Sequence, residues 1–141
     1  MSFVTSPVVS DLRELLRHMQ PVLNQGVYVY TCVPFDHDLS RLQVLASMRE
    51  QEGLSLVMEE PHALMAGLPI LFRAAWISLH VHSDLQTVGL TAAFANALGE
   101  VGISCNVIAG AHHDHIFVPL EKAQAAMQAL QDLQAHASQQ A

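Results

Sequence analysis

ISLHVHSDLQTVGLTAAFANALGEVGISCNVIAGAHHDHIFVP, residues 77–119, decides the fold. Ile77 to His82 alternates apolar and polar residues and reads as a strand. Ser83-Asp84 is a polar corner, and Leu85 to Leu98 reads as a helix stopped by Gly99. Ile103 to Ala109 reads as a strand, a Gly-Ala-His-His turn follows, and a short strand ends at Pro119. Residues 120–136 read as a further helix. The order is strand, helix, strand, strand, helix; one more strand would complete a ferredoxin-like split unit.

Working outward, residues 1–9 read as an arm. Asp11 with Glu14 fits a helix start capped by Asp11, and Leu12, Leu15, Leu16 and Met19 repeat on one helical face until Pro21 ends it. Gly26 opens a strand, Val27 to Val33, whose faces differ: Val27, Val29, Thr31 and Val33 against Tyr28, Tyr30 and Cys32. Residues 35–42 form a polar loop, in which Asp36, His37 and Asp38 lack further ligands nearby in sequence. Leu42 to Arg49 suits helix or strand. Leu54 to Met58 is a strand, and Glu60-Pro61 starts a short helix to Ala66, stopped by Gly67. The expected organisation is therefore α+β, with two halves at 1–68 and 69–141.

Ile70 to His82 is the longest strand expected. Leu71, Ala75, Ile77, Leu79 and Val81 share one face, interrupted by Arg73; Phe72, Trp76, Ser78, His80 and His82 share the other. Helices cover one face of such a sheet, so the aliphatic set turns toward them. The face left over carries Trp76, Ser78, His80, His82, Ser104, Asn106, His115 and Phe117, a mixture suited to an interface or pocket. The helix at 85–98 is apolar nearly all round, with stripes Leu85, Val88, Ala92, Ala95 and Leu90, Phe94, Ala97, which predicts burial on more than one side. Gly89 inside it costs roughly 1 kcal/mol against alanine. A close backbone approach or an unusual dihedral would justify it.

Composition excludes several classes. Hydrophobic residues make 51% of the 141-residue chain and charged residues 13%, which predicts surface hidden in a homo-oligomer. Net charge is −7 and Lys122 is the only lysine, so nucleic acid is excluded as a partner. The N-terminus lacks the pattern of a secretory signal and no apolar run is long enough to span a membrane. Cys32 and Cys105 fall within strands and read as buried thiols of a reducing compartment, so a cytoplasmic protein is expected.

The stretch VGLTAAFANALGEVGISCNVIAG resembles the start of an ACT domain, a small ligand-binding module attached to many enzymes of amino-acid metabolism. In that family a glycine occupies the first strand-to-helix corner, here Gly89. A small-residue helix and a Gly-Ile-polar-apolar-Asn run follow, here Gly102-Ile103 through Asn106. The chain resembles small stand-alone bacterial proteins with two ACT-like halves and a His-Asp-His-apolar-Phe-Val-Pro ending, here His113 to Pro119. Tyr28-Val29-Tyr30 and Glu50 to Val57 carry the looser resemblance of the first half. The resemblance favours a strand for 42–49, ACT-type βαββα units, and an antiparallel sheet with helices on one face. It implies a non-enzymatic amino-acid sensor without a cofactor, acting on a separate regulated protein. Its ligand corner would comprise Ser83, Asp84, Leu85, Val88 and Gly89, with Ser104, Asn106 and Val107 on the strand opposite, often from a second unit.

Histidines carry the competing reading. His80 and His82, like His113 and His115, lie two apart on their strands. Neighbouring strands would let these imidazoles converge on a metal and make a metal-dependent enzyme. The bland account has each ring satisfying a nearby backbone or carboxylate group. A ligand-free interaction module is the third alternative. No nucleophile elbow, phosphate loop or His-Glu-x-x-His helix is present. A Cys105 nucleophile with His115 as base is disfavoured, because alternation puts them on opposite faces.

Overall fold

The computed structural model describes residues 7–81 and 85–139. Helix α1 spans Pro7–His18 and strand β1 spans Gln20–Leu23. Asp11, expected to cap the first helix, lies inside it. Pro21 does not merely end that helix. Proline turns the residue before it toward extended backbone, and Pro21 becomes part of β1, where a strand edge tolerates the missing N–H. Strands β2 (Tyr28–Val33), β3 (Val44–Arg49) and β4 (Leu54–Glu59) follow, then α2 (Glu60–Met65) and β5 (Phe72–His80). Of residues 42–49, open between two states in the sequence, 44–49 are thus strand. Helix α3 (Leu90–Glu100), strands β6 (Asn106–Ala109) and β7 (Asp114–Pro119), a 3-10 turn at Leu120–Lys122 and helix α4 (Ala123–Gln139) complete the chain.

One antiparallel sheet runs β3-β4-β2-β5-β7-β6, with β1 also on β5. Strand β5 is its axis. Phe72 to Ala74 pair with β2, Ile77 to His80 pair with β1, and Ala74 to Leu79 pair with β7 along the opposite edge. Strands β1 and β2 therefore lie end to end along one side of β5. Asn24 holds the break between them: its N–H donates to the Trp76 carbonyl at 2.9 Å, and its side-chain amide donates to Ser78 Oγ at 3.0 Å. The strand that completes the unit read from residues 77–119 is β1, from the other end of the chain. The set β6-β7-β5-β1 has α3 at the crossover from β5 to β6, and α4 follows β7. The set β3-β4-β2-β5 has α2 at one crossover and residues 34–43 at the other.

The main core lies between the sheet and α1, α3 and α4. Ala75, Ile77, Leu79, Ile116 and Val118 meet Leu16, Phe94, Leu98, Ala126 and Leu130 there. Helix α1 is tied to α4 where the Gln134 side-chain amide donates to the Arg17 carbonyl at 2.8 Å. Helix α2 covers the same sheet face at the other end, over Val29 and Met58. Its Glu60 accepts from Arg73 Nη2 at 3.0 Å, which gives Arg73 a reason to interrupt an aliphatic face.

Two helix boundaries differ from those expected. Helix α3 starts at Leu90, not Leu85, because Gly89 adopts φ 99°, a left-handed conformation no helix interior accepts. It stops at Gly102, φ 76°, rather than Gly99. Its buried residues form the single stripe Leu90, Phe94 and Leu98, so it is not buried on several sides. Leu85 and Val88 are 70% and 73% exposed.

Candidate functional site

The face of the sheet away from the helices carries an aromatic cluster. Tyr28 meets Trp76 edge-on at 5.2 Å between ring centroids, Tyr30 meets Phe117 edge-on at 5.8 Å, and Trp76 lies nearly parallel to Phe117 at 6.2 Å. The register explains it: Trp76 sits opposite Phe117, and Ser78 opposite His115. The sheet curls around this face, so Ala46 of β3 and Ile108 of β6, from its two ends, join one cluster. A hollow of about 140 Å³ lies between Leu45, Trp76, His115 and Phe117. A groove of about 500 Å³ opens beside it, between β3 and β6, with Tyr30 and Val57 on its floor.

His115 belongs to this face. Trp76 Nε1–H donates to His115 Nδ1 at 3.1 Å, and Ser78 Oγ lies 3.2 Å from the same nitrogen. An acceptor at Nδ1 fixes the neutral ring with its proton on Nε2. Burial first, and then neighbouring His113 and His80, hold His115 below the usual histidine range, against the opposite pull of Asp114. His80 and His113 stack face to face at 4.8 Å. Stacked rings aim their nitrogens side by side rather than at a common point. His82 lies outside the described residues. Among the described residues no three His, Cys, Asp or Glu side chains gather as a metal site.

The expected ligand corner is built by the β5–α3 connection. Gly89 precedes the first turn of α3 with no side-chain cap. The dihedral is one that favours glycine, and a Cβ there would stand 3.1 Å from Leu12 Cδ2, so the leucine side chain would have to shift to admit it. A cleft of about 60 Å³ lies beside it, between Leu85, Thr87, Leu90 and Thr91 and the β6–β7 turn. His113 lines the cleft, and its Nδ1 is buried with no hydrogen-bond partner among the described residues. Ser83 and Asp84 lie outside the described residues.

Asn106 and its neighbours sit elsewhere. Asn106 is opposite Phe117 and donates to that residue's carbonyl at 3.2 Å, whereas the corner end of β6 is Ala109 opposite Asp114. Three steps along a strand are about 10 Å. Ser104, exposed, precedes β6, and Val107 packs on the helix core. Within one chain, then, Ser104, Asn106 and Val107 do not reach Leu85, Val88 and Gly89. Asn106 and Val107 instead line the large groove, with Ser47, Met48, Glu50 and Ser55, none of which was expected in a site. Strand alternation was legible there, but the curl that brings β3 toward β6 is not. Cys105 packs toward the helix core, on the face opposite His115, and burial pushes its thiol up to about 11, which removes the thiolate a nucleophile needs.

Two family models, each described as ACT domain, match the chain, one over residues 7–75 and the other over 72–132. A protein of unknown function from Vibrio cholerae, described as a possible transport protein, is 48% identical. The match covers 90% of this chain and 98% of that one, with a TM-score of 0.82. The regulatory subunit of aspartate kinase from Thermus thermophilus shares the fold at 12% identity, over 80% of this chain and 95% of that one, with a TM-score of 0.62. That from Thermus flavus does so at 13% identity, over the same shares of the two chains, with a TM-score of 0.58. No curated protein matches significantly.

Proposed function

The chain belongs to the ACT-domain family, and from that premise we propose that it is a non-enzymatic regulatory protein that binds an amino acid and passes the signal to a separate protein. The observation that carries the reading is the α3 N-terminus: Gly89 offers no side-chain cap, and a cleft of about 60 Å³ adjoins it. The first N–H groups of a helix have no partner within it and favour a carboxylate. In this reading Leu90, Thr91 and Ala92 present those N–H groups to the carboxylate. Leu85 and Val88 form the apolar rim, with Ser83, Asp84 and Gly89 completing the corner. Asn106 and Val107 come from β6 of a second copy and Ser104 from just before it, β6 being the last strand of the sheet among the described residues. Residues 1–68 and 69–141 are then two ACT-like halves, the first lending α1 and β1 to the second. Ligand binding at such an interface shifts the equilibrium between assembly states. Two free cysteines and the absence, among the described residues, of any helix able to cross a membrane support a cytoplasmic setting.

A melting-temperature screen against the twenty amino acids tests the proposal, since a ligand selective for the native state raises that temperature. Asn106→Ala should then weaken the ligand found by about 1.5–3 kcal/mol, roughly ten- to a hundred-fold. If no amino acid stabilises the protein, the sensing reading fails. If Asn106→Ala binds like the parent, the site is wrongly assigned.

A further inference from the structure

The groove between β3 and β6 is bounded by consecutive residues, 46–48 on one side and 105–108 on the other. A groove over the face of a strand touches every second residue, because side chains alternate. Contact with consecutive residues places this one along the strand edges. Among the described residues neither β3 nor β6 has a strand on its outer side, so the two ends of one sheet border a common seam.

The hairpin bonds fix which backbone groups point into it. Glu50 N–H donates to the Gly53 carbonyl at 2.9 Å, and Gly110 N–H donates to the His113 carbonyl at 2.9 Å. Bonded and non-bonded pairs alternate along an antiparallel ladder. Counting back through the observed registers, Met48 and Ala46 bond toward β4, and Ile108 and Asn106 toward β7. The N–H and C=O of Ser47 and Val107 therefore point outward into the seam. Edges of this kind are templates for a further strand.

We infer that the seam takes an extended peptide segment of another protein, which adds as a strand between β3 and β6 and closes the sheet. Strands β3 and β6 run antiparallel to each other across the sheet order, so the segment lies antiparallel to one and parallel to the other. A second copy of this chain does not serve as well: its β3 or β6 is already paired on one side and has only one edge to offer. An isolated segment has two. Its inward side chains meet Tyr30, Val57 and Ile108, and so are apolar at alternate positions. Glu50 is the charged residue on the groove wall and the chain carries −7, so the segment bears lysine or arginine.

The test is selection of phage-displayed random peptides on the full-length protein, followed by calorimetry with the synthetic peptides selected. Expected are sequences without proline, with alternating β-branched or aromatic residues and a basic residue. Ser47→Pro removes an outward N–H that no ladder bond uses, so it should leave the melting temperature unchanged and weaken the peptide at least tenfold. Should Ser47→Pro not fold, methylation of each peptide nitrogen in turn decides. A strand seated between two edges loses affinity on methylation at successive positions of both parities. A strand on one edge loses it only at alternate positions, and that result overturns the proposal. So does selection of no peptide above an unrelated control protein, or a peptide bound equally by Ser47→Pro.

Discussion

At the scale of single residues, His115 makes stability depend on pH in a defined direction. Its ring is held neutral by burial and by His113, with its Nδ1 accepting from Trp76. Above about pH 6.5 the ring is neutral in folded and unfolded chains alike. Below that, the unfolded chain takes up a proton that the folded ring resists, so stability falls until the pH passes below the folded value. Asp114, raised by burial, acts oppositely and nearer the ordinary carboxylate range. The melting temperature should fall between about pH 7 and pH 5. It should fall less in His115→Gln; equal slopes would remove His115 as the cause. Protonation at Nδ1 also breaks the Trp76 bond, so fluorescence of this single tryptophan should titrate over the same range. Gly89 gives a second residue-scale prediction. Gly89→Ala should cost about 1–2 kcal/mol for the left-handed backbone alone, and more for the contact with Leu12. Gly102→Ala, with open space around its Cβ, should cost only the backbone part. Chemical denaturation that ranks the two equally would discard the Leu12 contact.

At the scale of elements, α1 and β1 are the test of how the sheet is built. Met19, at their junction, is fully buried in the core shared with α4. Met19→Ala should cost about 2–5 kcal/mol, comparable with Leu130→Ala. A detached N-terminal arm would give a change within about 0.5 kcal/mol. The sequence made much of this legible. The division of β5 into an aliphatic and an aromatic face, the pairing of β6 with β7 and the helix after Pro119 all follow from two-residue and helical periods, which are local. Strand β1 was not legible, because its four residues, Gln-Pro-Val-Leu, lie beside a proline that reads as a stop, and its partner β5 is more than fifty residues away. The start of α3 was not legible either. Leu85 and Val88 continue the apolar helical repeat of Ala92 and Ala95, and only the dihedral of Gly89 shows where the helix begins. For the site, the corner glycine and the open face around Trp76 and His115 were readable. The separation of Asn106 from that corner depends on register, and the seam depends on curl; neither has a local signature.

At the scale of the whole molecule, the two halves of the sheet are covered unequally, and this predicts where copies meet. Around β5 and β7 the helix face lies under α1, α3 and α4, with a continuous core. Around β2 and β4 the short helix α2 is the one in place among the described residues, and its core is small: Val29, Met58 and Ala63, with Leu42, Leu68 and Ile70 at the margin. Residues 34–43 stand where a crossover helix would supply a second covering element. Next to this thin cover, Leu64 and Met65 of α2 are 59% and 89% exposed, and Leu71 after it is 65% exposed. Large apolar residues gathered on a surface mark an interaction site. The chain should therefore associate through α2, and light scattering should give at least twice the 15.4 kDa chain mass at micromolar concentration. Met65→Glu with Leu64→Glu puts two like charges into that contact and should lower the associated mass, leaving only the β6 contact that the ligand-site proposal requires. Because both side chains point into solvent within a single chain, the charges cost the monomer's own fold little, and its cooperative unfolding should persist. A monomeric parent would rule out association altogether. A double variant of unchanged mass would remove α2 as a contact and place the association at β6 alone.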